Sequence, residues 1–449
     1  MPVRNKPLIL NVFFTRQRGF AATATILLLV VAGIGALTIY FSAATRARLA
    51  SDQTTVAALA QARDALIGYA VSVDTSGAPG PRPGELPCPS RTALTDGTPA
   101  GIATTPCNGL AIGYLPWRTL GLPELRDGSG ELLWYAVSTG FKNNPRVYPL
   151  NSDTAGEFTV TGTTAANNVI AIVFAPGAPL DIPGQSQDRT KLQNSICPTT
   201  GTTIARVLCA ANYLEGGNHD NDTNFVSSLT SNITTASNNN FNDKVMLITR
   251  EDLFPAVENR VARDIRLTLQ SYKTTNNYYP YAAPLNGTAC QTGNYPAGLY
   301  RGRVPLSCTD LAPLTLPTWF TNNNWNEVLV YAVAPRCTPR VNLSILPILD
   351  PLICFPFFIP PLGYLCTTLS NLGCTNGPNN LSLDGDSTVE ALIIPAGSRF
   401  STQSSPRNSI VDYLESVNGN NENIDTPDDQ QYVRPARSSS NNDSLLKLP

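Results

Sequence analysis

The sequence predicts an α+β protein in which a long N-terminal transmembrane and amphipathic helix packs on a small antiparallel sheet, followed by a second, homologous helix-plus-sheet module. Three observations predict it. An uncharged run near the N-terminus continues without proline into an amphipathic segment. A series of short motifs occurs twice, in the same order, about two hundred residues apart. All ten cysteines follow the apolar run.

The apolar run covers residues 20–41 and contains no charge. As a helix it would rise about 33 Å, enough for a hydrocarbon core of ~30 Å. Arg4, Lys6, Arg16 and Arg18 precede it, with no acid among the first nineteen residues. The positive-inside rule then keeps the N-terminus cytoplasmic and sends the rest outward. A secretory signal peptide fits less well, because the stretch is long and no A-x-A-like site ends it. Residues 42–70 lack proline and hold one glycine, Gly68. Leu49, Val56, Leu59, Leu66 and Ala70 form a stripe at helical spacing, with Arg48, Asp52, Gln53 and Asp64 opposite.

The repetition is visible motif by motif. Ala62-Arg63-Asp64 returns as Ala262-Arg263-Asp264, each within a helix that ends near a tyrosine, Tyr69 or Tyr272. The second helix opens on Thr249-Arg250-Glu251-Asp252, an N-cap with acids in the first turn. It continues with a stripe of Phe254, Val257, Val261, Ile265, Leu269 and Tyr272. The strand Leu132-Leu133-Trp134-Tyr135-Ala136-Val137 is matched by Val328-Leu329-Val330-Tyr331-Ala332-Val333, and residues 170–174 by 392–394. Tyr213-Leu214-Glu215 returns as Tyr413-Leu414-Glu415, and Asn242-Asp243 as Asn442-Asp443. The expected organisation is a basic cytoplasmic leader 1–19, a transmembrane segment 20–41, a first module 42–248 and a second module 249–449.

The second module carries a Pro-rich hydrophobic insertion at 343–365. Pro347, Pro351, Pro356, Pro360 and Pro361 interrupt its apolar residues, which forbids a regular membrane helix. It reads as a loop held by cysteines, either a contact surface or core.

Charged residues are 14% of the chain, with 31 Lys+Arg against 33 Asp+Glu. No concentrated basic face is available to recruit nucleic acid. The cysteines are Cys88, Cys107, Cys197, Cys209, Cys290, Cys308, Cys337, Cys354, Cys366 and Cys374, with no C-x-x-C pair and a single histidine in the chain. Zinc frameworks of the usual spacing are therefore disfavoured, and structural disulfides in an oxidising compartment are expected. Pairing of sequence neighbours is the simplest scheme, while connectivity stays open.

Chemistry is sparse. Any Ser-His-Asp or Cys-His mechanism depends on His219, which lies in a polar Gly/Asn/Asp loop. No Walker loop, H-E-x-x-H or nucleophile elbow is present, so no catalytic residue is assigned. Alternating oxygen side chains at Asn218, Asp220 and Asp222 make a candidate calcium loop, calcium being the one cofactor the sequence offers. A second acidic loop holds Glu422, Asp425, Asp428 and Asp429. Neither closes with a bidentate Glu at the twelfth position, and hydrated turns are the plainer alternative.

The junction Arg16-Gln17-Arg18-Gly19-Phe20 resembles the processing site of type IV prepilins. The resemblance implies cleavage by a prepilin peptidase between Gly19 and Phe20, with the helix kept as the surface through which pilin or pseudopilin subunits pack. One position departs: the glutamate that family carries at the fifth mature residue is Ala24 here, which points to a minor rather than a shaft subunit. Over about residues 16–175 the chain is similar to a group of bacterial prepilin-like and type II secretion-like proteins, through Ala65-Leu66-Ile67-Gly68-Tyr69-Ala70, Leu86-Pro87-Cys88-Pro89, Gly113-Tyr114-Leu115-Pro116-Trp117 and Trp134-Tyr135-Ala136-Val137-Ser138. The resemblance implies a membrane-anchored minor pilin or pseudopilin-like structural protein of a type IV pilus or type II secretion-like system. It would be a single-pass inner-membrane protein without enzymatic activity, its modules periplasmic or at the cell surface. Two alternatives stay open: a signal-anchored surface adhesin outside any filament, and an envelope-anchored hydrolase using paired carboxylates.

Overall fold

The computed structural model describes residues 17–76, 80–90, 101–109, 111–182, 185–187, 210–227, 241–290, 299–308, 313–338, 374, 381–419, 431–438 and 440–448. The first half holds helix α1 (Gln17–Ser72) and strands β1 (Ile112–Tyr114), β2 (Trp134–Val137), β3 (Phe158–Thr161), β4 (Ala166–Val169), β5 (Ala171–Ala175), β6 (Asp181–Ile182), β7 (Gln185–Ser186), β8 (Asn224–Val226) and β9 (Lys244–Ile248). The second half holds α2 (Arg250–Asn276), β10 (Arg301–Arg303), the short α3 (Thr318–Asn322), β11 (Leu329–Val333), β12 (Leu381–Leu383), β13 (Asp386–Val389), β14 (Ala391–Pro395), α4 (Ser416–Gly419), β15 (Gln431–Tyr432) and β16 (Leu446–Leu448).

Two four-stranded antiparallel sheets result, β1-β2-β5-β9 and β10-β11-β14-β16. Each has a three-stranded companion, β4-β3-β8 and β13-β12-β15, with the last pair parallel in both. Every residue of β2, β5, β11 and β14 is buried, as expected of strands covered on both faces. Alternation decides which face each residue joins. Tyr135, Val137, Val173 and Ala175 join the main core with Leu59, Leu66 and the α2 stripe. Trp134, Ala136, Ile172 and Phe174 turn to the far face, against Phe158, Val160 and Phe225.

The first element of the expected fold class needs correction. Among the described residues no helix is long and apolar enough to cross a membrane. The transmembrane helix is therefore not supported, nor is the single-pass inner-membrane anchor that rested on it. The described side chains of α1 lie almost wholly from Thr45 onward, where Arg46, Arg48, Asp52, Arg63 and Asp64 are too frequent for an apolar span. Helix α2 carries still more charge, with Arg250, Glu251 and Asp252 in its first turn alone. The insertion 343–365 and the acidic residues Glu422, Asp425, Asp428 and Asp429 lie outside the described residues.

The buried face of α1 also differs from the stripe expected of it. Thr55, Ala58, Leu59, Ala62, Leu66 and Ala70 are buried, whereas Leu49 and Val56 are 56% and 55% exposed. Residues 45–50 are all exposed, because the first module meets the helix only further along. There the Gly128 N–H donates to Thr55 Oγ1 at 2.9 Å, and Lys244 pairs with Asp52. Helix α2 is capped as its sequence suggests: the Thr249 N–H and hydroxyl both donate to Asp252 Oδ2 at 2.9 Å. Phe254, Val257, Val261, Ile265, Leu269 and Tyr272 are its buried face. Filling a core this way contributes about 1.5–3 kcal/mol for each large aliphatic side chain.

The two helices lie side by side. Arg63 Nη2 reaches Asp252 Oδ1 at 2.5 Å, and Arg260 Nη1 donates to the Val71 carbonyl at 2.7 Å. Both contacts join residues 189 apart, so α1 and α2 run in the same direction. Beside them, Asn323 after α3 is fully buried and stitches the halves together. Its Oδ1 accepts from the Leu150 N–H at 2.9 Å and from Arg82 Nη1 at 3.1 Å, while its carbonyl accepts from Asn151 Nδ2 at 2.9 Å. Asp153 pairs with Arg407 at 2.8 Å, and Glu258 with Arg437 at 2.5 Å. One hydrophobic cluster runs through both halves.

Candidate functional site

Each half contains a carboxyl pair that the sequence spreads over 28 residues and the fold closes. In the first half Glu215 follows a turn at Ala210–Asn212, and Asp243 immediately precedes β9. The Glu215 N–H donates to Asp243 Oδ2 at 3.0 Å, and the N–H groups of Asn242 and Asp243 donate back to Glu215 Oε2 at 2.9 and 3.0 Å. Gln187 Nε2 donates to Glu215 Oε1, and Asn218 Nδ2 to Asp243 Oδ2 at 2.9 Å.

In the second half the Glu415 N–H donates to Asp443 Oδ2 at 3.2 Å, and the Asn442 N–H donates to Glu415 Oε2 at 3.2 Å. Gln403 Nε2 donates to Glu415 Oε1 at 2.8 Å, and Asn418 Nδ2 to Asp443 Oδ2 at 3.4 Å. The loop after the central strand is held in the same manner. Asn242 Nδ2 donates to the Ala178 carbonyl and Asn442 Nδ2 to the Ser398 carbonyl, each at 2.7 Å. Gly177 and Gly397 sit there at φ +69° and +68°, and a Cβ on either would strike the asparagine side chain.

Two acids this close and this dry cannot both ionise. Burial pushes the Asp243 carboxyl well above the ordinary carboxylate range, and the Glu215 carboxylate beside it adds to the rise. Asp443 is pushed up to about 9 by the same two causes, burial first and then Glu415. Each aspartic acid therefore keeps its proton at neutral pH beside its glutamate. With Asp243, Asp443 and Glu215 between 0% and 4% exposed, these carboxyls are closed to a large substrate and act as clamps on loop ends.

Each candidate calcium residue has partners within the chain. Asn218 is buried, its Oδ1 accepting from the Val226 N–H at 2.7 Å and its Nδ2 donating to the Val226 carbonyl. Asp222 Oδ1 accepts from the Asn224 N–H, and Asp220 Oδ1 lies 3.4 Å from His219 Nε2. Asn418 forms the matching exchange with Val433 in the second half. Asn218 thus proves to be a clamp residue, a role that the recurrence of Asn418 two hundred positions later could have signalled.

Among the described residues three disulfides join Cys88 to Cys107, Cys290 to Cys308 and Cys337 to Cys374. They belong to an oxidising, extracytoplasmic environment. The first two are sequence neighbours, and Cys197, Cys209, Cys354 and Cys366 lie outside the described residues. Glu390 approaches the Cys337–Cys374 pair closely enough to complete a three-ligand group, but sulfurs joined in a disulfide are not thiolate ligands, and Glu390 is bound by Lys273. Gly19 and Phe20 both lie within α1. Compared with known proteins, the chain matches no family model, no curated protein and no solved structure.

Proposed function

We propose that the chain is a pilin- or pseudopilin-like structural subunit, a two-module head that joins an extracytoplasmic assembly through the outer part of α1. One observation carries this reading: α1 is 56 residues long, and all of its described residues up to Ala50 are exposed, although Leu29, Val30 and Leu49 are large apolar side chains. A helix bedded along its later turns, with its earlier described residues bare, offers a packing surface to neighbours. The prepilin-like junction at Gly19 and Phe20 supports the same reading, with a type IV pilus or type II secretion-like system as the assembly.

Mass spectrometry of the mature protein tests it, with a chain beginning at Phe20 as the expected result. Cysteine substituted at Leu49 should cross-link to a neighbouring subunit in cells, whereas Leu267→Cys on the exposed face of α2 should not. A chain retaining Met1, with no cross-link at either position, overturns the proposal. Ala24 favours a second reading, a surface-binding protein outside any filament. That reading predicts neither processing at Gly19 nor cross-linking.

A further inference from the structure

The far faces of the two modules differ at the positions paired across the first two strands. In the first half, β1 pairs Ile112 with Ala136 and Tyr114 with Trp134. The Trp134 ring lies 4.3 Å from the Tyr114 ring and 5.4 Å from that of Tyr213, centroid to centroid, in an apolar cluster. In the second half, β10 pairs Arg301 with Ala332 and Arg303 with Val330. Two arginines thus stand where the first half has isoleucine and tyrosine, and a valine stands where it has the indole. Tyr413 is kept in the place of Tyr213.

These arginines are not surface residues. Arg301, Arg303 and Arg407 are 8%, 7% and 3% exposed. Arg303 Nε donates to the Tyr413 hydroxyl at 2.7 Å, and its Nη2 to the Arg407 carbonyl at 3.4 Å. The Arg303 and Arg407 guanidinium groups lie 5.9 and 5.4 Å from the Tyr413 ring centroid. Arg407 has a carboxylate partner, Asp153. Among the described residues neither Arg301 nor Arg303 has one. Moreover, Nη1 and Nη2 of Arg301 are both buried without an acceptor, as are Nε and Nη1 of Arg407.

Removing a guanidinium from water without giving its N–H groups an acceptor costs several kcal/mol, which a folded chain avoids by pairing it. A fork with two free Nη groups matches two oxygens of one oxyanion. The two charges without a carboxylate partner match the double charge of hydrogen phosphate or sulfate. We propose that the far face of the second module holds one small inorganic oxyanion on the Arg301 fork, beside Arg303 and Tyr413. The site is specific to the second module, since Ile112 and Tyr114 can offer no such fork. It is independent of the assembly role proposed above, so either can fail alone.

Thermal unfolding of the full chain at constant ionic strength tests this, with inorganic phosphate titrated against chloride. The midpoint should rise by about 2 °C once phosphate stands roughly twenty-fold above its dissociation constant. Arg301→Ile, which copies Ile112, should abolish the rise and leave the midpoint in phosphate-free chloride no lower than that of the parent. Arg301→Gln serves if the isoleucine variant does not fold, with the same expectation. Calorimetric titration should find one phosphate bound per parent chain and none per variant. An equal rise with chloride, an equal rise in the variants, or no rise in the parent overturns the proposal.

Discussion

The two halves share a strand order and a clamp, yet they differ in how tightly the clamp is closed. Around Glu215 and Asp243 the N–H donors stand at 2.9–3.0 Å and Glu215 is fully buried, whereas around Glu415 and Asp443 three of the corresponding distances are 3.2–3.4 Å. The far faces diverge further, one filled by aromatic rings and the other by arginines. What stays constant between the halves is therefore the hydrogen-bond pattern that closes the backbone of each. What changes is the side-chain content of a face not needed to close it.

The largest expected effect bears on whether the halves are separable at all. Asn323→Ala would leave the Leu150 N–H without its buried acceptor and take from Arg82 one of its three acceptors, at a cost of roughly 4 kcal/mol. A urea midpoint for the full chain measures it, and a loss below about 1 kcal/mol would mean that the shared core and the ion pairs, not Asn323, tie the halves.

Next come the paired disulfides. Cys88–Cys107 and Cys290–Cys308 close loops with sequence separations of 19 and 18, so each contributes about 3 kcal/mol through the unfolded chain. Replacing either pair by serine should cost a similar amount. The first should cost slightly more, because Cys88 and Cys107 are 0% and 1% exposed and form a small core with Ala103. Melting of the two double variants side by side ranks them.

The clamps make stability fall with rising pH. Asp243 and Asp443 have folded pKa values raised above the unfolded one, so the folded state binds protons that the unfolded state has released. Their contribution is complete below the ordinary Asp range and is lost as pH rises, in the second half until about 9. Each proton is worth about 1.4 kcal/mol per pH unit across that window. Asp443→Asn keeps an acceptor for the Glu415 N–H and supplies a neutral donor. It should flatten the fall in unfolding free energy between pH 6 and 8 by about 1.4 kcal/mol per pH unit, and Asp243→Asn should flatten it further. An unchanged slope in both variants would show that neither acid holds its proton.

The smallest effect tests the outer surface. Lys244 and Asp52 are about half exposed and tie β9 to α1 at 2.6 Å. Lys244→Ala should shift stability by less than about 0.5 kcal/mol, and Arg434→Ala, which frees Asp384, by as little.

Much of the fold is legible in neighbouring residues. The spacing of Phe254, Val257, Val261, Ile265, Leu269 and Tyr272 marks a helix face, and the apolar runs at 132–137 and 328–333 contain β2 and β11. The face of α1 was less legible. Leu49 and Val56 fit a helical stripe as well as Ala58 and Ala62 do, and only the position of the sheet decides which side is covered. For the candidate site, Tyr-Leu-Glu and Asn-Asp stood out as repeated words, but nothing in either word says that the two meet.

By itself the sequence determined what periodicity and repetition can carry: which segments are helix or strand, that motifs recur in order, and that paired cysteines suit an oxidising compartment. Tertiary structure alone decided that Glu215 closes on Asp243, that Asn323 joins Arg82 to Leu150, and that Arg301 turns inward. Periodicity is set by residues a few positions apart through backbone geometry. Contacts between residues 28 or 241 positions apart depend instead on how whole elements pack, and on whether water is excluded where they meet.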